Sequence, residues 1–249
     1  MRLRSACAAI PLVLGLALVG RAQDDDVRAL LDRAVKAHGG AEKIGKLTAS
    51  RVKSRGKLAL LGGIEFNQSI AYELPNKLRE ELDLEVMGQK VKTVSVFNGE
   101  KAAILVNGKP LPLTDAIKGA LKDAGHLLEV VRLVKLTTPP YELSALGEAQ
   151  VNDRPAVGVR VARKGRKDVN LYFDKKTNLL AKVEHRVTDA LSGQEQTEER
   201  IIVEYETTGA LPSAKRVVMN RDGKKFLELE VLEVQHPDSI DDDEFAVPE

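Results

Sequence analysis

The sequence is poor in the residue types on which most binding and redox chemistry depends. It has no tryptophan, a single cysteine, and aromatic residues at only 4% of its 249 positions, so platforms for stacking bases or sugars are scarce. The cysteine is Cys7, and it sits in a segment with the marks of an export leader. MRLR is a short basic start, ACAAIPLVLGLALVG is an apolar run too short to span a bilayer, and Gly20-Arg21-Ala22 puts small residues where a signal peptidase reads. Residues 1–22 are therefore predicted to be a cleaved secretory signal, with a retained membrane anchor as the alternative. Cys7 precedes the apolar run rather than following it, which argues against lipidation.

Without that leader the chain has no thiol, and thiolate catalysis, disulfides and cysteine ligation of metals are all excluded. Three of the 38 basic side chains (Arg2, Arg4 and Arg21) leave with it, so 35 remain against 37 acidic ones. That balance argues against a nucleic-acid partner. No second apolar run is long enough to be a transmembrane segment of the mature chain. The four histidines, His38, His126, His185 and His236, are scattered at spacings that do not place two ligands on one face, so no metal site is expected. His185 continues an apolar strand face and reads as a core or cavity-edge residue. Asp241 to Glu244 lacks the spaced oxygens and glycine of a calcium loop and reads as a solvated tail. No serine has a nucleophile-elbow context, and no glycine-rich loop opens a helix to hold phosphate. Neither catalytic residues nor a cofactor are expected, and the protein reads as non-enzymatic.

What the sequence does have is alternation. LYFDKKTNLLAKVEHRV, 171–187, places apolar residues on alternate positions of two runs around a polar turn, a β-hairpin with one dry face. Similar runs occupy 51–61, 64–74, 77–86, 90–97 and 101–106, with Gly62-Gly63, Pro75-Asn76, Gly88 and Asn98-Gly99 at their turns. They resume after Pro139-Pro140 and continue into KKFLELEVLEV. There, Leu227, Leu229 and Val231 follow one phase and Leu232 and Val234 the other, which predicts a bulge between them. SGQEQTEE, before the strand ending in Tyr205, reads as an exposed loop. One amphipathic helix is predicted over 24–37, capped by Asp24 to Asp26 and stopped by Gly39-Gly40. The stretch 113–135 is helical in period but interrupted at Gly125, which predicts a lid of two helices.

Leu82 and Leu84 share a face, as do Leu171 and Phe173, then Ala181 and Val183, while Arg79, Glu81, Lys182 and Glu184 lie opposite. A sheet dry on one side must be covered. The expected fold class is α+β, mainly β: a single curved antiparallel sheet, an incomplete barrel of about eleven strands, with helices over its concave face. Residues 23–249 are read as one domain. Phe66, Ile70, Leu82, Leu84, Leu171, Phe173, Ala181 and Val183 are predicted to line a concave cavity opposite Ile117, Leu121, Leu128 and Val131 of the lid.

YELPNKLREELDLEV followed by VSVFNGEKAAIL, then LYFDKKTNLLAKVE, ALPSAKRVVMNRDGKKFLELEVLEVQ and DDDEFAVP, resembles the periplasmic lipoprotein carriers and the wider outer-membrane lipoprotein-sorting-like group. The resemblance covers most of 24–249 and implies an incomplete barrel closed by helices around a cavity for acyl chains. It implies an exported, periplasmic protein that binds the acyl chains of a lipid or lipoprotein and carries them toward the outer membrane. The arginine that commonly precedes the proline of the bend in that family is Leu74 here. The alternative is a structural or interaction module of the cell envelope with a self-filled core and an envelope protein as partner. The leader predicts that protein recovered outside the cytoplasm begins at Gln23, which N-terminal sequencing checks; Met1 on the soluble protein contradicts it.

Overall fold

The structure, a computed structural model, describes residues 16–59, 62–99, 101–189, 193–208 and 211–247. The leader up to residue 15, with Cys7, lies outside them. Six strands form the first half: β1 (Ala49–Leu58), β2 (Ile64–Glu73), β3 (Lys77–Val86), β4 (Gln89–Phe97), β5 (Ala102–Val106) and β6 (Lys109–Pro110). Seven form the second: β7 (Tyr141–Val151), β8 (Arg154–Arg163), β9 (Val169–Asp174), β10 (Leu180–Thr188), β11 (Glu195–Thr208), β12 (Leu211–Arg221) and β13 (Lys224–Gln235). All thirteen belong to one sheet in the order β6-β5-β4-β3-β2-β1-β13-β12-β11-β10-β9-β8-β7. The chain begins at the middle of the sheet, meanders out to one edge, crosses to the other, and meanders back until β13 pairs with β1. β6 and β7 are left as open edges, the expected incomplete barrel with more strands than predicted. The two residues of β6 are too few to display an alternation.

Tight turns set the registers. Met87-Gly88, Asn107-Gly108, Asn152-Asp153 and Asp222-Gly223 all have positive φ at both positions, and each joins directly paired residues such as Val86 and Gln89. That is the two-residue hairpin geometry whose twist matches the strands.

The first helix differs from expectation. α1 spans Leu16–Ala37 and runs straight through Asp24 to Asp26. Leu, Ala and Val upstream are adequate helix formers, so the aspartates cap nothing; they stand just before Val27, where the buried stripe Val27, Leu30, Leu31 and Ala34 begins. The stop at Gly39-Gly40 is as predicted, with φ of 112° and 92°. A short helix, α2 (Ala41–Lys46), follows.

The lid is one helix rather than two. α3 spans Asp115–Val130, its first turn capped by Thr114 Oγ1, which accepts from Ile117 N at 3.3 Å. Gly125 is buried within it, and a Cβ there would meet only the Pro75 carbonyl at 3.8 Å. One interior glycine costs about 1 kcal/mol, less than burial of Leu121, Leu127 and Val130 on that helix contributes. The helix runs on through Gly125 to Val130, and residues 131–140 beyond it form turns and bends.

The main core lies between α1, the end of α3 and strands β7–β11. It joins Val27, Leu30, Leu31, Leu127, Val130 and Leu133 to Val159, Val161, Leu171, Phe173, Val183 and Ile202. Two bulges decide which residues face it. In β10 the pairing with β9 slips between Leu180 and Lys182. Leu180 therefore joins the core, whereas Ala181 packs on the other face with Val151, Ala156, Tyr172 and Ile201. Ala181 is thus not a concave residue, and the strand after it is read in the opposite phase. β11 carries register shifts beyond Ile202; Ile202 lies in the core, while Ile201 packs on the other face with Ala181. In β13, Lys53 pairs with Glu233 and Ser54 with Val231, which leaves Leu232 as the predicted bulge, half exposed.

Two polar stretches are also more ordered than expected. Within SGQEQTEE, β11 already starts at Glu195, and Glu198 is only 1% exposed. The acidic tail forms a 3₁₀ turn over Asp242–Phe245 that buries Ile240 and Phe245 against Ala49 and Ala71 on the outer face. Its carboxylates pair with strand cations, Glu244 with Arg51 at 2.6 Å and Asp242 with Lys77 at 2.5 Å.

Met87 is 90% exposed yet holds φ of 51°, a conformation that suits Asn and Gly far better than a long side chain. Met87→Asn is expected to raise unfolding stability by about 1 kcal/mol, read from the urea midpoint at unchanged slope; an unchanged or lower midpoint contradicts this account of the turn.

Candidate ligand-binding cavity

α1 dries the concave face over β7–β11 but does not reach the centre of the sheet. A cavity of about 410 Å³ remains there. Its floor is a cross-strand patch in which Val183 faces Arg200, Ile202 faces Val217, and Val217 faces Leu229, extended by Val52, Val231 and Val234. Its roof is made of Ile44 within α2 and Leu47 at its end, Val131 and Arg132 beyond the end of α3, and His38 at the end of α1. Apolar side chains supply 15 of the 22 lining residues, and no carboxylate is among them.

His38 pins one wall. Its Nδ1 lies 2.8 Å from the Ala34 carbonyl, and its Nε2 accepts from Leu180 N at 3.3 Å. The accepting Nε2 places the proton on Nδ1, so the ring is neutral. Burial lowers its pKa, with the Ala34 hydrogen bond opposing. The Leu180 carbonyl accepts from Tyr205 Oη at 2.8 Å, and the Tyr205 ring meets His38 edge-on at 6.1 Å. The bulge at Ala181 thus has its neighbouring backbone groups satisfied by two cavity side chains. Gly39 closes the corner, since a Cβ there would fall 2.1 Å from Leu211 Cδ2.

A charged cluster seals another wall. Glu198 accepts from Arg200 Nε at 2.9 Å and Arg221 Nε at 3.1 Å, with His185 Nε2 at 3.5 Å, the outer limit of a hydrogen bond. Burial alone would raise the Glu198 carboxyl. The His185 contact and the Arg200 charge override it and hold the carboxyl far below the usual range. The His185 side chain is largely buried but is not among the residues that line the cavity, and it lies beside a glutamate that the polar look of its surroundings concealed. Arg132, on the opposite wall, donates from Nη2 to the Ile44 carbonyl and lies close to Tyr72, which lines the same cavity. His236 lies beside it with its Nδ1 2.8 Å from Ser50 Oγ.

Of the predicted lining residues, Val183 and Val131 border this cavity. Leu171 and Phe173 face the same side but are fully buried under α1, in packed core. Phe66, Ile70, Leu82 and Leu84 share the face by strand alternation. In register with Ile202, Val217 and Leu229, the ladder runs on through Gly56 to Phe66 and Leu84. Phe66 and Leu84 border an adjoining hollow of about 1,090 Å³, which shares Val217 and Leu229 with the central cavity and in which half of the lining residues are charged. Ile70 and Leu82 flank a polar relay in which Ser54 Oγ donates to Gln68 at 2.8 Å and Gln68 to Glu80 at 2.5 Å. Of the lid residues, Leu121 is buried while Ile117 and Leu128 are half-buried. Sequence reasoning missed His38, Arg132, Arg200 and Tyr205; the one available signal was an arginine set inside the apolar run LEVVRLVKL. Among the described residues no group of three or more His, Cys, Asp or Glu is placed to hold a metal ion, and no helix is long and apolar enough to cross a membrane.

No protein-family model matches the sequence, and no curated protein sequence does. Solved structures do match. A DUF1329 family protein from Desulfovibrio piger superposes with a TM-score of 0.54 at 10% identity, covering 88% of this chain and 97% of its own. An outer membrane lipoprotein-sorting protein domain from Vibrio parahaemolyticus gives 0.50 at 9% identity, over 89% and 97%. A LolA superfamily protein from Nitrosomonas europaea gives 0.50 at 11% identity over the same shares. The fold is LolA-like.

Burial lowers the pKa of His38. It also lowers His126, where Arg166 and Arg163 add to the effect, and His236, where Arg132 adds. The folded state keeps these rings neutral while the unfolded chain takes up protons at the ordinary value of 6.5, so stability is present above that pH and falls as pH drops through it. The urea midpoint is expected to be lower at pH 5.5 than at pH 7.5, a window above the carboxylate range; a flat profile contradicts the neutral-histidine assignment.

Proposed function

We propose that this protein is an exported envelope protein that shelters the acyl chains of a lipid or lipoprotein in the central cavity and carries them across the periplasm to the outer membrane. The observation that carries the reading is the cavity itself: a largely apolar hollow at the centre of a sheet whose second half is packed by the protein's own helix. Each methylene withdrawn from water contributes roughly 0.8 kcal/mol, so ten of them contribute about 8 kcal/mol before the costs of ordering and immobilisation. Binding of that kind needs no reactive group, which suits a non-enzymatic protein. The LolA-like fold supports the same reading, since one neighbour with that fold is described as a lipoprotein-sorting domain.

The second reading is an interaction module, and one observation favours it. β7 is an open edge of eleven residues, long enough to accept a strand from an envelope partner.

The test uses a variant that fills the cavity without adding charge. Ala214 is half-buried in the cavity wall, and Ala214→Phe is expected to abolish binding of a fluorescent acyl probe while leaving the unfolding midpoint unchanged or higher. Lys176→Glu, on an exposed turn, leaves binding unchanged. Saturable probe binding by the wild type that survives Ala214→Phe places the chains elsewhere. Wild type that binds no acyl probe, and yields none in native mass spectrometry after gentle purification, sinks the acyl-chain reading in favour of the module.

A further inference from the structure

Two guanidinium groups line the cavity, and they differ in one respect. Arg200 is paired with Glu198 at 2.9 Å. Arg132, among the described residues, has no carboxylate within 4.0 Å. It is half-buried just past the C-terminus of α3 and held in the wall by the Ile44 carbonyl, close to the Tyr72 side chain. The negative end of the helix dipole favours a cation there, but neither a dipole nor two neutral neighbours supplies the counter-charge that a partly desolvated cation lacks. A guanidinium presents five donors in a rigid fork. Here Nη2 is engaged with Ile44, and Arg132 lines a largely apolar space with no acidic side chain.

We propose that Arg132 is the head-group anchor for a single-chain amphiphile whose head is an oxyanion, carboxylate or phosphate, and whose tail fills the cavity. The inference rests on the acyl-binding reading above and narrows its ligand. The charge is complementary, and the volume of about 410 Å³ is at the low end of the roughly 300–1,000 Å³ of small-molecule sites, which suits one chain better than several. His236 and Tyr72 line the same cavity and add neutral hydrogen-bonding groups that an oxyanion can use.

Fluorescence titration with cis-parinaric acid and with its methyl ester, at pH 8, tests the anchor. Wild type is expected to bind the acid roughly ten- to a hundredfold more tightly than the ester, the weight of one charge-assisted hydrogen bond. Arg132→Gln removes that preference by weakening the acid and not the ester, and Arg132→Lys retains part of it. Displacement of the probe by palmitate or by a palmitoyl lysophosphatidate, whichever acts at lower concentration, identifies the oxyanion. Equal binding of acid and ester by the wild type overturns the anchor while leaving acyl binding standing, and it does so even if the variants fail to fold. If neither probe binds, the acyl-chain reading has failed first.

Discussion

Thirteen antiparallel strands turn a far larger apolar area to one side than two helices can dry, and where those helices sit decides what becomes of the remainder. The stripe Val27, Leu30, Leu31 and Ala34 lies on the second half of the sheet, where Leu171 and Phe173 are fully buried beneath it. The centre is left with only helix ends above it: His38, Ile44, Val131 and Arg132. An apolar hollow results because helix ends alone do not fill it. The first half solves its shortage differently. It interrupts its concave face with the Ser54–Gln68–Glu80 relay, so that less of it needs drying.

The walls of the hollow explain how it persists without collapsing. His38 and Tyr205 occupy the backbone groups freed by the Ala181 bulge, and Glu198 locks β10, β11 and β12 through His185, Arg200 and Arg221. A cross-linked polar frame of this kind resists the side-chain shifts that would close an apolar void. The resemblance to lipoprotein carriers implied an arginine at the bend before Pro75, and Leu74 stands there. A guanidinium nevertheless reaches the same neighbourhood from the opposite side, since Arg132, just past the end of α3, meets Tyr72 of β2.

Hairpins, their turns, the Leu232 bulge and the one-sided sheet were legible because each is written locally, in an alternation of period two or in a residue that accepts positive φ. The errors share a cause. Ala181 continues the apparent phase of its strand, but a bulge is a property of the neighbouring strand as much as of its own. Glu198 reads as solvent-exposed in SGQEQTEE because its two arginines come from Arg200 beside it and Arg221 one strand away. Gly125 reads as a break because propensity alone weighs against it, and the packing of Leu121, Leu127 and Val130 is not visible in a window of that length. The cavity residues Arg132, His38 and Tyr205 are brought together by tertiary structure only.

The pairing of β1 with β13 has a consequence in time. Ser50 and His236, whose side chains touch at 2.8 Å, are 186 residues apart, and the middle of the sheet cannot form until the final strand is available. A chain that builds its centre last has high contact order and folds slowly, so it stays extended and threadable for longer than one that closes from its beginning. Until β13 arrives, the first six strands end in an unpaired β1 edge, a template for the wrong partner. A nascent chain of this topology therefore depends on whatever shields that edge during synthesis, and loss of its last strand would leave two open half-sheets in place of one weakened whole.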